Sequence, residues 1–85
     1  MKIYKYPIGK LPGDYVISAP ILYLLGIYLD PNNDPCLYAI VNNEALHNLT
    51  IHVCWTGWDL PEVAENWRHI ATLEMEGLMC HYFEG

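Results

Sequence analysis

The sequence predicts an all-β domain, a mostly antiparallel small sandwich or barrel of about six to seven short strands with at most one short helix. Three observations lead there. Runs rich in β-branched and aromatic residues follow one another along the whole chain. Gly, Pro, Asn and Asp separate them at intervals of about 8–12 residues. No long apolar repeat with the 3.6-residue period of a helix is present.

Each run has a physical reason to begin and end. Lys2–Ile8 reads as a first strand, closed by Pro7, Gly9, Pro12 and Gly13. Tyr15–Ala19 is a second, ended by Pro20, and Tyr23–Leu29 a third. Asp30-Pro31-Asn32-Asn33-Asp34-Pro35 is a dense turn signal, because Asx side chains hydrogen-bond the local backbone. Cys36–Val41 follows as a fourth strand, then Asn42-Asn43-Glu44 as a break. Leu49–Trp55 is a fifth. The polar connection Asp59–Asn66 holds the best helix candidate, Leu60–Asn66, with Pro61 suited to a first turn and Glu62 and Glu65 to its positive end. Trp67–Glu74 and Leu78–Phe83 complete the set, joined by Glu76-Gly77 as a hairpin turn.

The stretch Tyr15–Leu29 is the most apolar in the chain and raises the question of a membrane. It is shorter than the roughly 20 residues a spanning helix needs, and Pro20 and Gly26 interrupt it. Its β-branched and aromatic content predicts two largely buried strands meeting at a corner at Ala19-Pro20. At the N-terminus, Pro7, Gly9, Pro12, Gly13 and Asp14 break any signal-peptide core before it starts. The expectation is no membrane role and one domain, residues 1–85, without repeats or linkers.

Charge narrows the partners. The chain carries a net −6, with Lys2, Lys5 and Lys10 near the start and Arg68 as the sole Lys or Arg after residue 10. Such a surface repels the phosphates of nucleic acids and anionic lipids. It attracts a basic protein surface.

Candidate chemistry is sparse. Cys36, Cys54 and Cys80 are odd in number and widely spaced, a poor disulfide framework, and read as reduced core thiols. For a metal, His52 and Cys54 share one strand face, whereas adjacent Cys80 and His81 point opposite ways. Cys36 is the remaining donor, and the set lacks zinc-site spacing. The expectation is no metal and no cofactor. A catalytic thiolate needs an electropositive setting, and these cysteines lie in apolar strands of an acidic chain. The acid pairs Glu62/Glu65 and Asp30/Asp34 read as solvated turn residues, since acid–base work needs a cleft that shifts their pKa. No phosphate-cradling glycine motif is present. The reading is therefore not an enzyme.

Aromatic residues offer more. In WTGWDLPEVAENW, Trp55 lies on a strand and reads as core. Trp58 follows Gly57 in a connection, the kind of position where scaffolded loops carry recognition. With Asp59, Glu62 and Glu65 it would make an aromatic anchor inside an acidic rim. The alternative is that the connection folds back and Trp58 plugs the end of the sandwich. Strand parity also matters: Ile51, Val53 and Trp55 oppose His52, Cys54 and Thr56, and Leu78, Cys80 and Tyr82 oppose Met79, His81 and Phe83. Neither strand has a clean polar face, which predicts sheets covered on both sides or a homo-oligomer, most simply a dimer.

Four landmarks in order, MKIYKYP, DPCLYAIV, TGWDLP and RHIATLEMEGLMCHYFEG, resemble a family of small phage and prophage proteins. Those proteins open K-x-Y-K-Y-P and carry a P-C-L-W-A-x-V strand, a G-T-G-x-x-(I/L) turn, a Y-I-G-T strand and an H-V-F-E-like ending. Here Tyr38 stands for the Trp, Trp55-Thr56-Gly57 for G-T-G, and His69-Ile70-Ala71-Thr72 for Y-I-G-T; Asn43–Thr50 departs most. The resemblance implies a phage-encoded β protein acting in the host bacterial cytoplasm, and it supplies no catalytic residues. The expected function is a non-enzymatic inhibitor of a host anti-phage defence protein, anti-CRISPR or similar. It would bind a basic host surface through Trp58, Asp59, Glu62 and Glu65. Two other readings stand beside it. One is an oligomeric trap for a nucleotide signal, which needs cations and so points to Arg68, Lys5 and Lys2. The other is a minor virion structural or assembly protein.

Overall fold

The computed structural model describes residues 1–42 and 45–85; Asn43 and Glu44, in the break expected after the fourth strand, lie outside them. Seven strands form two antiparallel sheets. They are β1 (Lys2–Pro7), β2 (Gly13–Ala19), β3 (Ile21–Leu29), β4 (Pro35–Val41), β5 (His47–Trp55), β6 (Arg68–Met75) and β7 (Leu78–Glu84). Sheet A has the order β1-β4-β3 and sheet B the order β2-β5-β7-β6. The molecule measures 40 × 31 × 15 Å, a slab whose short dimension holds two layers. The expected all-β class is therefore observed as a sandwich. No helix among the described residues is long and apolar enough to cross a membrane.

The turns behave as their chemistry dictates. Asp30 organises the β3–β4 hairpin: its Oδ1 accepts from the backbone N–H of Asn32 and of Asp34, each at 2.9 Å. In the β6–β7 hairpin Glu76 and Gly77 both take positive φ, 53° and 79°, the primed turn that matches strand twist. The corner at Ala19-Pro20 is real. The chain leaves sheet B at the end of β2 and enters sheet A at the start of β3.

One expectation is corrected. Tyr15–Leu29 is not largely buried. Its two strands are edge strands, β2 of sheet B and β3 of sheet A, so each pairs on one side only, and their outward side chains have no further layer packed over them. Val16, Leu22, Tyr23 and Tyr28 are exposed. Bulges interrupt β3 between Ile21 and Tyr23 and between Leu24 and Gly26, and β6 between His69 and Ala71. Such irregularities blunt sheet edges against further pairing. The glycine at Gly26 has a local reason: the Tyr28 ring lies over it, where a Cβ would come within 2.9 Å. The expected short helix is shorter still, a single 3-10 turn at Glu62–Asn66, with Pro61 preceding it in extended conformation.

The core lies between the inner faces. Leu37, Ala39 and Val41 of β4 meet Ile51 and Val53 of β5 and Cys80 and Tyr82 of β7, as alternation along β5 and β7 requires. Trp55 is only partly buried: it packs against this cluster while its Nε1–H donates to the Lys10 carbonyl at 2.9 Å. Tyr82 is fully buried, and its hydroxyl donates to the Gly9 carbonyl at 3.2 Å. Burial pushes its phenol far above the ordinary range, so it stays a neutral donor. Replacing Tyr82 by Phe should cost about 1 kcal/mol, the net worth of one such bond. Replacing it by Ala should cost about 3–5 kcal/mol through the cavity left. Urea unfolding of both variants checks the pair, and equal losses would contradict this account.

Candidate functional site

Between β5 and β6 the chain runs across the outer face of sheet B. Gly57, at φ 87°, turns it, and the Trp58 N–H donates to the Trp55 carbonyl at 3.1 Å. The Trp58 ring packs edge-on against Trp55, centroids 5.3 Å apart. That contact leaves it 58% exposed, so Trp58 does not plug the sandwich. Leu60 and Val63 are exposed beside it, and the 3-10 turn buries none of its residues. Asp59, Glu62 and Glu65 are all exposed. None of them is in an ion pair among the described residues. The sequence-predicted partner residues therefore share one short surface segment: an apolar trio bordered by acids that form no ion pair among the described residues.

Behind this segment lies a groove of about 590 Å³. Trp58, Asp59, Leu60, Pro61 and Val63 form one wall, and Pro12, Gly13 and Asp14 at the start of β2 form the other. His52, Cys54 and Trp67 also line it, whereas Glu62 and Glu65 do not. His52 is buried and lies flat on Trp67, ring centroids 3.7 Å apart and planes 3° apart. Its Nδ1 is 2.6 Å from Asp14 Oδ1. Trp67 touches Phe83 of β7 in turn, at 6.0 Å. Trp67 thus covers the outer face of β5 and β7 at His52 and Phe83, while Met79 farther along β7 stays exposed. Sequence reasoning did not find Asp14, His52 and Trp67 as a group. The parity of β5 did separate His52 from Ile51 and Val53, but the β2–β5 register that sets Asp14 opposite His52 has no local signal.

The other candidates are scattered. Cys36, Cys54 and Cys80 are free thiols. Burial raises the pKa of all three, and the charges of Asp30 and Asp14 raise Cys36 and Cys54 further, the opposite of an activated nucleophile. Cys80 points into the core, and Cys36 lies in the other sheet. Among the described residues no three potential ligands gather around a metal-sized space. His81 is bonded through Thr56 Oγ1 at 2.6 Å and Thr72 Oγ1 at 2.9 Å. Thr72 also meets His69 Nε2 at 2.8 Å.

Three of the four Lys and Arg side chains are engaged by acids: Lys5 with Asp30, Lys10 with Glu76, and Arg68 with Glu84. Lys2 lies at the start of β1, opposite Val41. Arg68 lines a cavity of about 220 Å³ at the seam of β3 and β6, and Lys5 another of about 410 Å³ near Pro7 and Asp30; the two share no residue. Lys10 lines the second cavity together with Lys5, each already paired with an acid, while Arg68 stands apart at the first.

The whole chain, residues 1–85, matches the family model described as a domain of unknown function, DUF7352. The chain belongs to that family. No curated protein and no solved structure matches it. Within this DUF7352 domain Asp30 is held by Lys5, by two backbone N–H groups and by the Cys36 thiol. The Asp34 N–H is the main cause of its lowered pKa, with Lys5 next. Its charged form therefore stabilises the fold above the ordinary carboxylate pKa of 3.8, and the contribution fades as pH falls through the lowered value. Asp30→Asn, which keeps an acceptor for the turn, should lower the melting temperature at pH 7. The gap from the unmodified protein should narrow steadily as the pH falls below the ordinary carboxylate value of 3.8. A gap independent of pH would show that the charge is irrelevant.

Proposed function

We propose that this chain is a small non-enzymatic binding protein that inhibits a host defence protein, encoded by a phage and acting in the bacterial cytoplasm. The phage setting rests on the sequence resemblance. The binding mode rests on one observation: Trp58, Leu60 and Val63 are exposed together on one connection whose acids, Asp59, Glu62 and Glu65, have no ion-pair partner among the described residues. Large exposed aromatics rimmed by uncompensated charge are what an interface for a basic surface needs. Trp58 would be the anchor. The acids would steer approach, an effect that salt screens.

The partner is found by capture from infected-host lysate on the tagged protein, with mass spectrometry of what is retained. Trp58→Ala should then weaken binding by about 2–4 kcal/mol while leaving the circular dichroism spectrum unchanged. The triple variant Asp59→Asn, Glu62→Gln and Glu65→Gln should slow association in low salt more than in high salt. If Arg68→Ala and Lys5→Ala are the damaging changes and the acids are dispensable, the nucleotide trap is the better reading.

Self-association belongs to the same proposal. Ile3, Ile40 and Tyr23 form a row across the outer face of sheet A, and Lys5 with Tyr38, then Cys36 with Tyr28, form the next two. Ile3, Tyr23 and Tyr28 are exposed, and the lysine there is paired with Asp30. A second copy of this acidic chain meets least repulsion on that face. Light scattering should give a dimer mass for the unmodified chain and a monomer mass for the Tyr23→Lys/Tyr28→Lys variant. A monomer mass for the unmodified chain at high concentration would refute the dimer.

A further inference from the structure

We propose that the groove behind Trp58 is a receptor for one arginine side chain of a protein partner. This deepens the binding reading above and rests on it. Two indoles, Trp58 and Trp67, and two carboxylates, Asp14 and Asp59, border it, and no Lys or Arg does. Leu60, Pro61 and Val63 add an apolar wall, against which the methylene stem of a long cationic side chain packs while its head stays polar.

Charge sharpens the choice. Lys5, Lys10 and Arg68 are each held by an acid elsewhere in the chain. Asp59 has no ion-pair partner among the described residues, and Asp14 meets only His52, through Oδ1. The groove therefore faces solvent with negative charge beside electron-rich rings. Both features favour a cation: indole faces attract it electrostatically, and a carboxylate accepts its N–H groups. Guanidinium suits this lining better than ammonium. It is planar, weakly hydrated, stacks on indole and reaches two oxygens at once.

The site is also held before any ligand arrives. His52 is buried flat against Trp67 and within hydrogen-bond distance of Asp14, so one imidazole fixes an aromatic and a carboxylate. Rigid walls reduce the ordering cost of binding. His52 is a positioning residue here.

The test uses the full chain and a defined probe, the peptide acetyl-Gly-Arg-Gly-amide, with its citrulline counterpart as the uncharged isostere. In two-dimensional amide NMR the arginine peptide should shift the indole N–H signals of Trp58 and Trp67 saturably, and the citrulline peptide should not. Asp59→Asn should weaken binding about fivefold, the scale of one partly exposed charge pair. Asp14→Asn/Asp59→Asn should abolish saturation with signal dispersion kept. Equal shifts by citrulline, or shifts centred on Glu74 and Glu76, would overturn the proposal. A lysine peptide binding tighter than arginine would overturn the guanidinium assignment. The two readings fail separately. A host partner lost on Trp58→Ala with no arginine-peptide binding refutes the groove alone. Saturable peptide binding with no host partner refutes the inhibitor reading alone.

Discussion

The packing of Tyr82, Ile51 and Val53 of sheet B against Leu37, Ala39 and Val41 of sheet A is the contact on which the rest depends. It consumes the inner faces of β4, β5 and β7, the three strands flanked on both sides. Alternation then forces His52 and Cys54 of β5, and His81 and Phe83 of β7, onto the outer face of sheet B. That face is too aromatic to be left to water. The connection from Thr56 to Trp67 lies across it, and Trp67 covers His52 and Phe83. The groove is a consequence of this covering: it is the space left between the covering segment and the start of the edge strand β2.

The edges follow the same logic. An 85-residue chain has little surface to spare for burying four sheet edges. Instead β3 and β6 carry bulges, and β1 ends on Pro7, which has no N–H to offer a further strand. Part of the apolar excess that remains, Ile3, Tyr23 and Tyr28, lies on the outer face of sheet A, on the opposite layer from the groove. Two surfaces with different chemistry thus come from one small core.

Much of the fold was legible because the determining signals are local. Asp30 to Asp34 and Glu76-Gly77 specify their turns by side-chain hydrogen bonding and positive φ, and Ala19-Pro20 marks the change of sheet. Parity along β5 and β7 sorted their residues into two faces without saying which face turns inward. What was not legible is which strands end up at the edges. Composition alone cannot distinguish β4, flanked on both sides, from β3, flanked on one. PCLYAIV and ILYLLGIYL are equally apolar, so the burial expected for Tyr15–Leu29 failed. The site divides along the same line. Trp58 and its acids are contiguous in sequence and were recognisable; Asp14, His52 and Trp67 meet only through the β2–β5 register and a stacking contact.

The charge distribution links fold to binding. Each engaged cation ties separate parts of the chain: Lys5 joins β1 to the β3–β4 turn, Lys10 joins the β1–β2 loop to the β6–β7 turn, and Arg68 joins β6 to β7. Of these, the solvent-exposed pairs Lys10–Glu76 and Arg68–Glu84 add little to stability. Their larger effect is on the field. By pairing at these positions they neutralise the acids there, so the uncompensated negative charge is left elsewhere, notably along Asp59 to Glu65 and at Asp14. Within a Debye length of about 8 Å at physiological salt, a basic surface approaching this side meets attraction without the opposing cations it would meet elsewhere. The same placement that makes the lysines poor phosphate ligands is what leaves the aromatic groove negative.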